Sequence, residues 1–245
     1  SHYPWMKDSW DWKTWVKLGI NWKGATHKMF SGENAWEAAR NAGIKSFVDR
    51  YIPMRYNVDF AKVADEYDYF VTGSDQVWNP YFADLEKLFI KFAPGGKRIS
   101  YAASISCPEI PQDKLQMFID GINGMKAISV REQAGAELIE KLTGRKVEVV
   151  ADPTMLVAAE KWREIARKPS WLKGDEEILT TYFLGKRPDE VINRLAMEHG
   201  LKVVNILDEH VFEHYAVAPE EWLWLIDHAK LMYTDSFHGT VFSIL

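Results

Sequence analysis

Cysteine is almost missing from this chain: Cys107 is the only one among 245 residues. A disulfide within the chain is therefore excluded, and so is a zinc site built from several thiolates. A reducing, cytoplasmic setting is the simpler reading of such usage. Long apolar runs are lacking too, and none reaches the ~18 residues that a membrane-spanning helix needs. The opening Ser1-His2-Tyr3-Pro4 turns at once to tryptophan and lysine, not to the apolar stretch of a signal peptide. Positive charge is not in excess. The 30 lysines and arginines face 35 aspartates and glutamates, a net of −5, which argues against a dedicated nucleic-acid binder. There is no internal repeat and no low-complexity segment.

What is present suits a globular protein with a substantial core. Apolar residues make up 47% and charged residues 27%, and a chain of this length buries about 70–75% of its unfolded surface. The charge is uneven. Residues 1–60 hold nine lysines and arginines against six aspartates and glutamates, a net of +3, so the remainder carries −8. The same opening contains Trp5, Trp10, Trp12, Trp15, Trp22 and Trp36. Such a segment is either a sugar-stacking or membrane-surface face or a helical region that buries its tryptophans in the core.

From residue 60 onward, short apolar runs alternate with amphipathic ones. Strands are expected at 67–73, 98–104, 126–130, 147–151, 177–185, 201–207 and 230–235. Helices are expected at 111–125, 132–144, 188–200 and 219–229. Strands rich in Val and Ile that alternate with helices imply parallel sheets buried on both faces. The segment 157–176, with Pro169 and a charged cluster, reads as a seam between two such units. The chain also reads as lacking parts at both ends. No opening strand with a glycine turn is visible in residues 1–60, and "GTVFSIL" is too short a helix to cover a sheet edge.

In open α/β sheets ligands gather beyond the carboxyl ends of the strands. The residues there are Gly73-Ser74-Asp75-Gln76, Ser104, Arg131-Glu132, Asp152-Pro153 and Asp235-Ser236-Phe237-His238-Gly239. Helix capping accounts for Ser74, Ser104 and Ser236. It does not account for Arg131, because a cation at a helix start opposes the helix dipole. Its placement makes sense if the guanidinium and the helix amides face a common anion. His238 follows a strand and opens a helix, where amide dipoles should disfavour the imidazolium and leave a neutral base or donor near pH 7. It could equally cap its own turn. Gly239 leaves room for close backbone approach. Asp75 fits a cap, a base or a sugar-hydroxyl acceptor, whereas Asp152-Pro153 reads as a turn device and Trp78 as core or pocket wall. His210 and His214 are four apart, the spacing of paired metal ligands on a helix, but "LDEHVFEHYAVAP" has a weak helical pattern.

The same corners carry a resemblance. "EYDYFVTGSDQVWNP", "ISYAASIS", "AISVREQAGAELIEKLTG", "VVADPTMLV" followed by "KW", "TYFLG" and "YTDSFHGTVFSIL" cover residues 66–245 in order. Together they resemble the polysaccharide pyruvyl transferase family. The combination of GSDQVWNP, VRE, DPT and SFHG is specific, while residues 1–60 are not diagnostic. The resemblance implies an α/β fold of two Rossmann-like domains, similar to B-type glycosyltransferases, with the active site in the cleft. Carried onto this chain, the domains are 1–160 with the Trp-rich helical opening and 161–245, the latter incomplete.

The resemblance also implies a reaction. Pyruvate passes from phosphoenolpyruvate to two hydroxyls of a sugar or polysaccharide precursor as a cyclic ketal, and phosphate is released. His238 and Asp75 are then the catalytic residues. Arg131, Ser236, Phe237, Gly239, Ser74, Gln76 and Glu132 form the substrate-binding set. No cofactor or metal is required beyond the donor, although the motifs leave room for Mg2+ on the phosphate. The partners are phosphoenolpyruvate and a sugar or lipid-linked saccharide, with no nucleic acid; peripheral association with the inner face of a membrane is compatible with such an acceptor. Two other readings compete: a nucleotide-sugar glycosyltransferase of B-type fold, and a non-catalytic saccharide-binding protein that uses the opening tryptophans.

Overall fold

The computed structural model describes residues 33–81 and 84–245. Trp5, Trp10, Trp12, Trp15 and Trp22, on which the sugar-stacking or membrane-surface reading rests, lie outside the described residues. The described residues group into two compact units. One is Arg55–Leu156; the other joins residues 33–54 to Val157–Leu245. Both are mixed α/β with small parallel sheets. No described helix is long and apolar enough to cross a membrane.

Helix α1 (Glu33–Tyr51) precedes the first unit in the chain. Helix α2 (Phe60–Glu66) starts where the Asp59 carboxylate accepts the Ala61 amide, a side-chain cap for an otherwise unpaired donor. Strand β1 (Phe70–Thr72) pairs in parallel with β2 (Arg98–Ser100), and β3 (Ser129–Val130) pairs with β4 (Glu148–Val149). Parallel bridges Ile99–Ala127 and Ala103–Val130 join the two pairs, so the strands follow one another in chain order. The expected strand 98–104 is regular only as far as Ser100. Beyond it, Ala102 turns left-handed at φ 49° and gives its amide to Ser129 Oγ at 3.1 Å. Ser100 Oγ donates to the Ser129 carbonyl at 3.0 Å, while Ser129 Oγ donates to the Ser100 carbonyl at 3.1 Å.

Helices α3 (Gln112–Asn123) and α4 (Gln133–Thr143) connect β2 to β3 and β3 to β4. Each buries one stripe: Phe118, Gly121 and Ile122 in α3, and Gly135, Ala136 and Ile139 in α4. Helix α4 ends at Gly144, whose left-handed φ of 72° suits glycine. Trp78 is fully buried and stacks on Phe89 with ring centres 5.2 Å apart. It is a core residue. Gly121 is needed because a Cβ there would lie 2.3 Å from the Phe89 ring.

The second unit is a three-stranded parallel sheet in the order β6-β5-β7. Its strands are β5 (Ile178–Tyr182), β6 (Lys202–Ile206) and β7 (Ala229–Thr234). The first four residues of the central strand β5 are all buried, as a strand covered on both faces should be. Helix α5 (Ala159–Ile165) precedes the sheet, α6 (Asp189–His199) links β5 to β6, and α7 (Pro219–Asp227) links β6 to β7. The closing helix is α8 (Phe237–Ile244).

Helix α1 (Glu33–Tyr51) belongs to this second unit. Trp36 packs edge-on against Phe212 at 5.4 Å and is tilted against Tyr215 at 6.0 Å. Gly43 lets the helix come close to Ala218, where an added Cβ would lie 3.2 Å from the alanine methyl. Of the six opening tryptophans, Trp36 is therefore seen to pack.

Candidate functional site

The carboxyl edge of the first sheet collects side chains from all four strand ends. After β1, the chain turns through Gly73, whose φ of 151° and close approach to the Tyr101 carbonyl, 2.0 Å from any added Cβ, admit only glycine. This turn presents Ser74 and Asp75. After β2 come Ser104 and Ser106, after β3 Arg131 and Glu132, and after β4 Asp152.

Arg131 is the hub. Its side chain is only 7% exposed and meets three carboxylates. Nη2 donates to Asp75 Oδ1 at 2.8 Å and to Glu132 Oε1 at 3.4 Å, and Nη1 donates to Asp152 Oδ2 at 3.1 Å. Burial disfavours the guanidinium charge, but Asp75, Asp152 and Glu132 outweigh it and raise the Arg131 pKa.

Asp152 is buried and fully engaged. Ser74 Oγ donates to its Oδ2 at 2.7 Å, and the Thr154 amide and hydroxyl donate to its Oδ1 at 3.0 and 2.7 Å. Burial by itself would raise this carboxyl. The bonds from Ser74, Thr154 and Arg131 more than reverse that and bring its pKa down to about 2. Glu132 Oε1 accepts the Ser104 hydroxyl, which also lies 2.6 Å from Ser106 Oγ. Glu132 Oε2 is buried with no hydrogen-bond partner among the described residues.

The backbone around the hub is held in costly conformations. Gln76, Ala102 and Ser106 all have left-handed φ, at 49°, 49° and 52°. Non-glycine residues in this region cost on the order of 1–3 kcal/mol each and cluster at functional sites. Gln76 itself turns its Oε1 to accept from Asn79 Nδ2 at 3.1 Å.

The second unit has its own corner. The connection from β5 runs to β6 on one side, and the next crosses back to β7 on the other, so the strand order reverses at β5. Ligands of open α/β sheets sit outside such a reversal. There the Asp235 carboxylate clasps the end of β5, accepting the Leu184 amide at 2.7 Å and the Gly185 amide at 2.8 Å. Ser236 is buried and caps α8 by accepting the Gly239 amide at 3.2 Å. Of the three serines expected to cap helices, only this one does; the hydroxyls of Ser74 and Ser104 serve carboxylates instead.

His238 is half-buried in the first turn of α8, its ring edge-on to the exposed Phe237 at 5.2 Å. Gly239 makes room for Thr234, whose Oγ1 would be 2.7 Å from an added Cβ. That hydroxyl in turn donates to the Tyr182 carbonyl at 2.5 Å and accepts the Ser236 amide at 2.9 Å.

The structure thus gathers Ser74, Asp75, Arg131 and Glu132 in one unit, and Ser236, Phe237, His238 and Gly239 in the other. Sequence reasoning placed Asp152 and Asp235 at strand-end corners but read Asp152 as a turn device and gave Asp235 no role of its own. Their place directly after a strand was the signal for a larger role. His210 and His214 do not form a metal pair: His210 precedes the single helical turn Phe212–Tyr215, and His214 packs against Trp171. Among the described residues no group of three or more His, Cys, Asp and Glu side chains is placed to hold a metal ion.

A family model described as polysaccharide pyruvyl transferase matches residues 3–245. No curated protein matches the chain, and no solved structure matches it.

Proposed function

The chain belongs to the polysaccharide pyruvyl transferase family, and from that premise we propose that it transfers pyruvate from phosphoenolpyruvate to two hydroxyls of a saccharide, forming a cyclic ketal and releasing phosphate. The observation that carries the reading is the meeting of the corners after β1, β3 and β4 on the Arg131 guanidinium, with Ser104 after β2 joined through Glu132. In this reading the two α/β units are Rossmann-like domains similar to those of B-type glycosyltransferases. No cofactor or metal beyond the donor takes part.

The chemistry asks for few groups. Phosphoenolpyruvate is a small polyanion, and the planar fork of Arg131 suits its carboxylate or phosphate. Ser74, Gln76, Glu132, Ser236, Phe237 and Gly239 complete the substrate contacts. The enol CH2 takes a proton and becomes CH3, leaving an oxocarbenium-like centre at C2. A sugar hydroxyl attacks C2 and gives up its proton, the C2–O bond to phosphate breaks, and the second hydroxyl closes the ketal with loss of another proton. His238 serves proton transfer at the enol carbon or phosphate, and Asp75 holds or deprotonates the acceptor hydroxyl. The acceptor is a sugar or a lipid-linked saccharide precursor, met in the cytoplasm at the inner face of the membrane.

The test is turnover by the full-length protein with phosphoenolpyruvate and a panel of saccharide acceptors. Acceptor-dependent phosphate release with a pyruvylated product supports the reading. Nucleotide release from a nucleotide sugar, or saccharide binding with no turnover and no loss on removing Arg131 and His238, overturns it.

A further inference from the structure

The carboxylates on Arg131 differ in kind. Asp152 is 1% exposed at its side chain and is fixed by Ser74 and Thr154 as well as by Arg131. Asp75 is 47% exposed at its side chain, and among the described residues only Arg131 holds its carboxylate. Three carboxylates on the guanidinium fork compete with a polyanionic donor for Nη1 and Nη2. If Arg131 takes the donor, as proposed above, one carboxylate must withdraw. Asp152 cannot do so without stranding a buried charge and the hydroxyl of Ser74. Asp75 can rotate into water.

We propose that Asp152 is a positioning residue that holds Nη1 of Arg131 in every state, and that Asp75 is an exchangeable stand-in for the donor's anion on Nη2. Donor binding then displaces Asp75 and sets its carboxylate free to take the acceptor hydroxyl. The order of events follows from the geometry: the base for the acceptor becomes available only once the donor is seated. An ion pair with so exposed a partner is weak enough that displacing it lowers donor affinity only about 2- to 5-fold. This inference rests on the assignment of phosphoenolpyruvate as donor.

The two aspartates should respond in opposite senses. In the full-length protein, Asp75→Asn should tighten phosphoenolpyruvate binding by about 2- to 5-fold in calorimetry, since the competing anion is gone. Turnover by the same variant should fall, because the acceptor base is gone. Asp152→Asn should weaken phosphoenolpyruvate binding roughly 10-fold or more, since the guanidinium loses its fixed partner. If Asp152→Asn does not fold, Thr154→Val replaces it. That variant removes the hydroxyl that holds Asp152 Oδ1 at a residue outside the proposed substrate contacts, and should weaken donor binding by a smaller factor, about 3-fold. Looser donor binding in Asp75→Asn, or unchanged binding in the Asp152 or Thr154 variant, overturns the proposal while leaving the donor assignment in place. Wild-type protein that binds no phosphoenolpyruvate overturns the donor assignment, and the exchange with it.

Discussion

Ser74 donates its hydroxyl to Oδ2 of Asp152 at 2.7 Å, across 78 residues of chain. The bond joins the corner after β1 to the corner after β4, the two outer strands of the first sheet as described. It spans the carboxyl edge and passes directly beside the Arg131 guanidinium, which meets the same Oδ2. A carboxylate read as part of a turn is therefore what ties this edge together.

That role should be visible in acid. An unfolded aspartate titrates near pH ~3.9, whereas Asp152 in the fold sits at about 2. The unfolded chain binds the proton more readily between those values, so stability is lost as the pH falls from about 4 towards 2. The contribution is on the order of 2 kcal/mol and is fully present above about pH 5. Asp152→Asn should be less stable than wild type at pH 6, with the difference shrinking as the pH falls to 2. Denaturant unfolding across this range measures it, and a difference that does not change with pH would count against the assignment.

Arg131→Lys should not rescue function. The guanidinium reaches Asp75 through Nη2 and Asp152 through Nη1, and a single ammonium cannot reproduce two diverging bonds. Donor affinity should fall roughly 30-fold or more. Stability should drop by about 1–3 kcal/mol, because Asp152 loses part of its pairing while buried. Calorimetry with phosphoenolpyruvate and a thermal melt on one preparation separate the two effects; unchanged affinity would remove Arg131 from the donor site.

For His238, the expected outcome is a loss of rate without loss of fold. The residue is half-buried in the first turn of α8, and His238→Gln keeps a similar size but cannot shuttle a proton near neutral pH. General acid–base roles contribute typically ~100- to 10,000-fold, so turnover should fall within that range while Tm moves little. A stable variant with a near-normal rate would reduce this histidine to a helix-start residue.

Gly239→Ala tests the frame around that histidine. The new methyl would press on Thr234 Oγ1, 2.7 Å away, which holds both the Tyr182 carbonyl and the Ser236 amide. Overpacking of this kind costs about 1–3 kcal/mol. Pairing it with Thr234→Ala, which clears the space, should cost less than the sum of the two single changes. Strict additivity in unfolding free energy would show that the two residues do not press on each other.

By itself the sequence determined the alternation of strands and helices, since periodicity is a local signal. All seven expected strands are present, and so are the four expected helices, with α3, α4, α6 and α7 bounded within two residues. It also marked the carboxyl edges as the chemically loaded ones, because polar residues directly after apolar strands stand out in any α/β pattern. The family followed from several motifs in a fixed order. Only tertiary structure decided what those residues meet. Arg131 lies 56 residues from Asp75 and 21 from Asp152, and no periodicity reaches that far. Strand lengths were overread for a related reason: β2 ends at Ser100 because Ala102 turns left-handed and gives its amide to Ser129 Oγ, a partner that the run "RISYAAS" does not announce. The grouping of α1 with the second unit depends on Trp36 and Gly43 finding Phe212, Tyr215 and Ala218. Buried apolar area decides such a choice, and a residue's partners in burial are set by the fold as a whole.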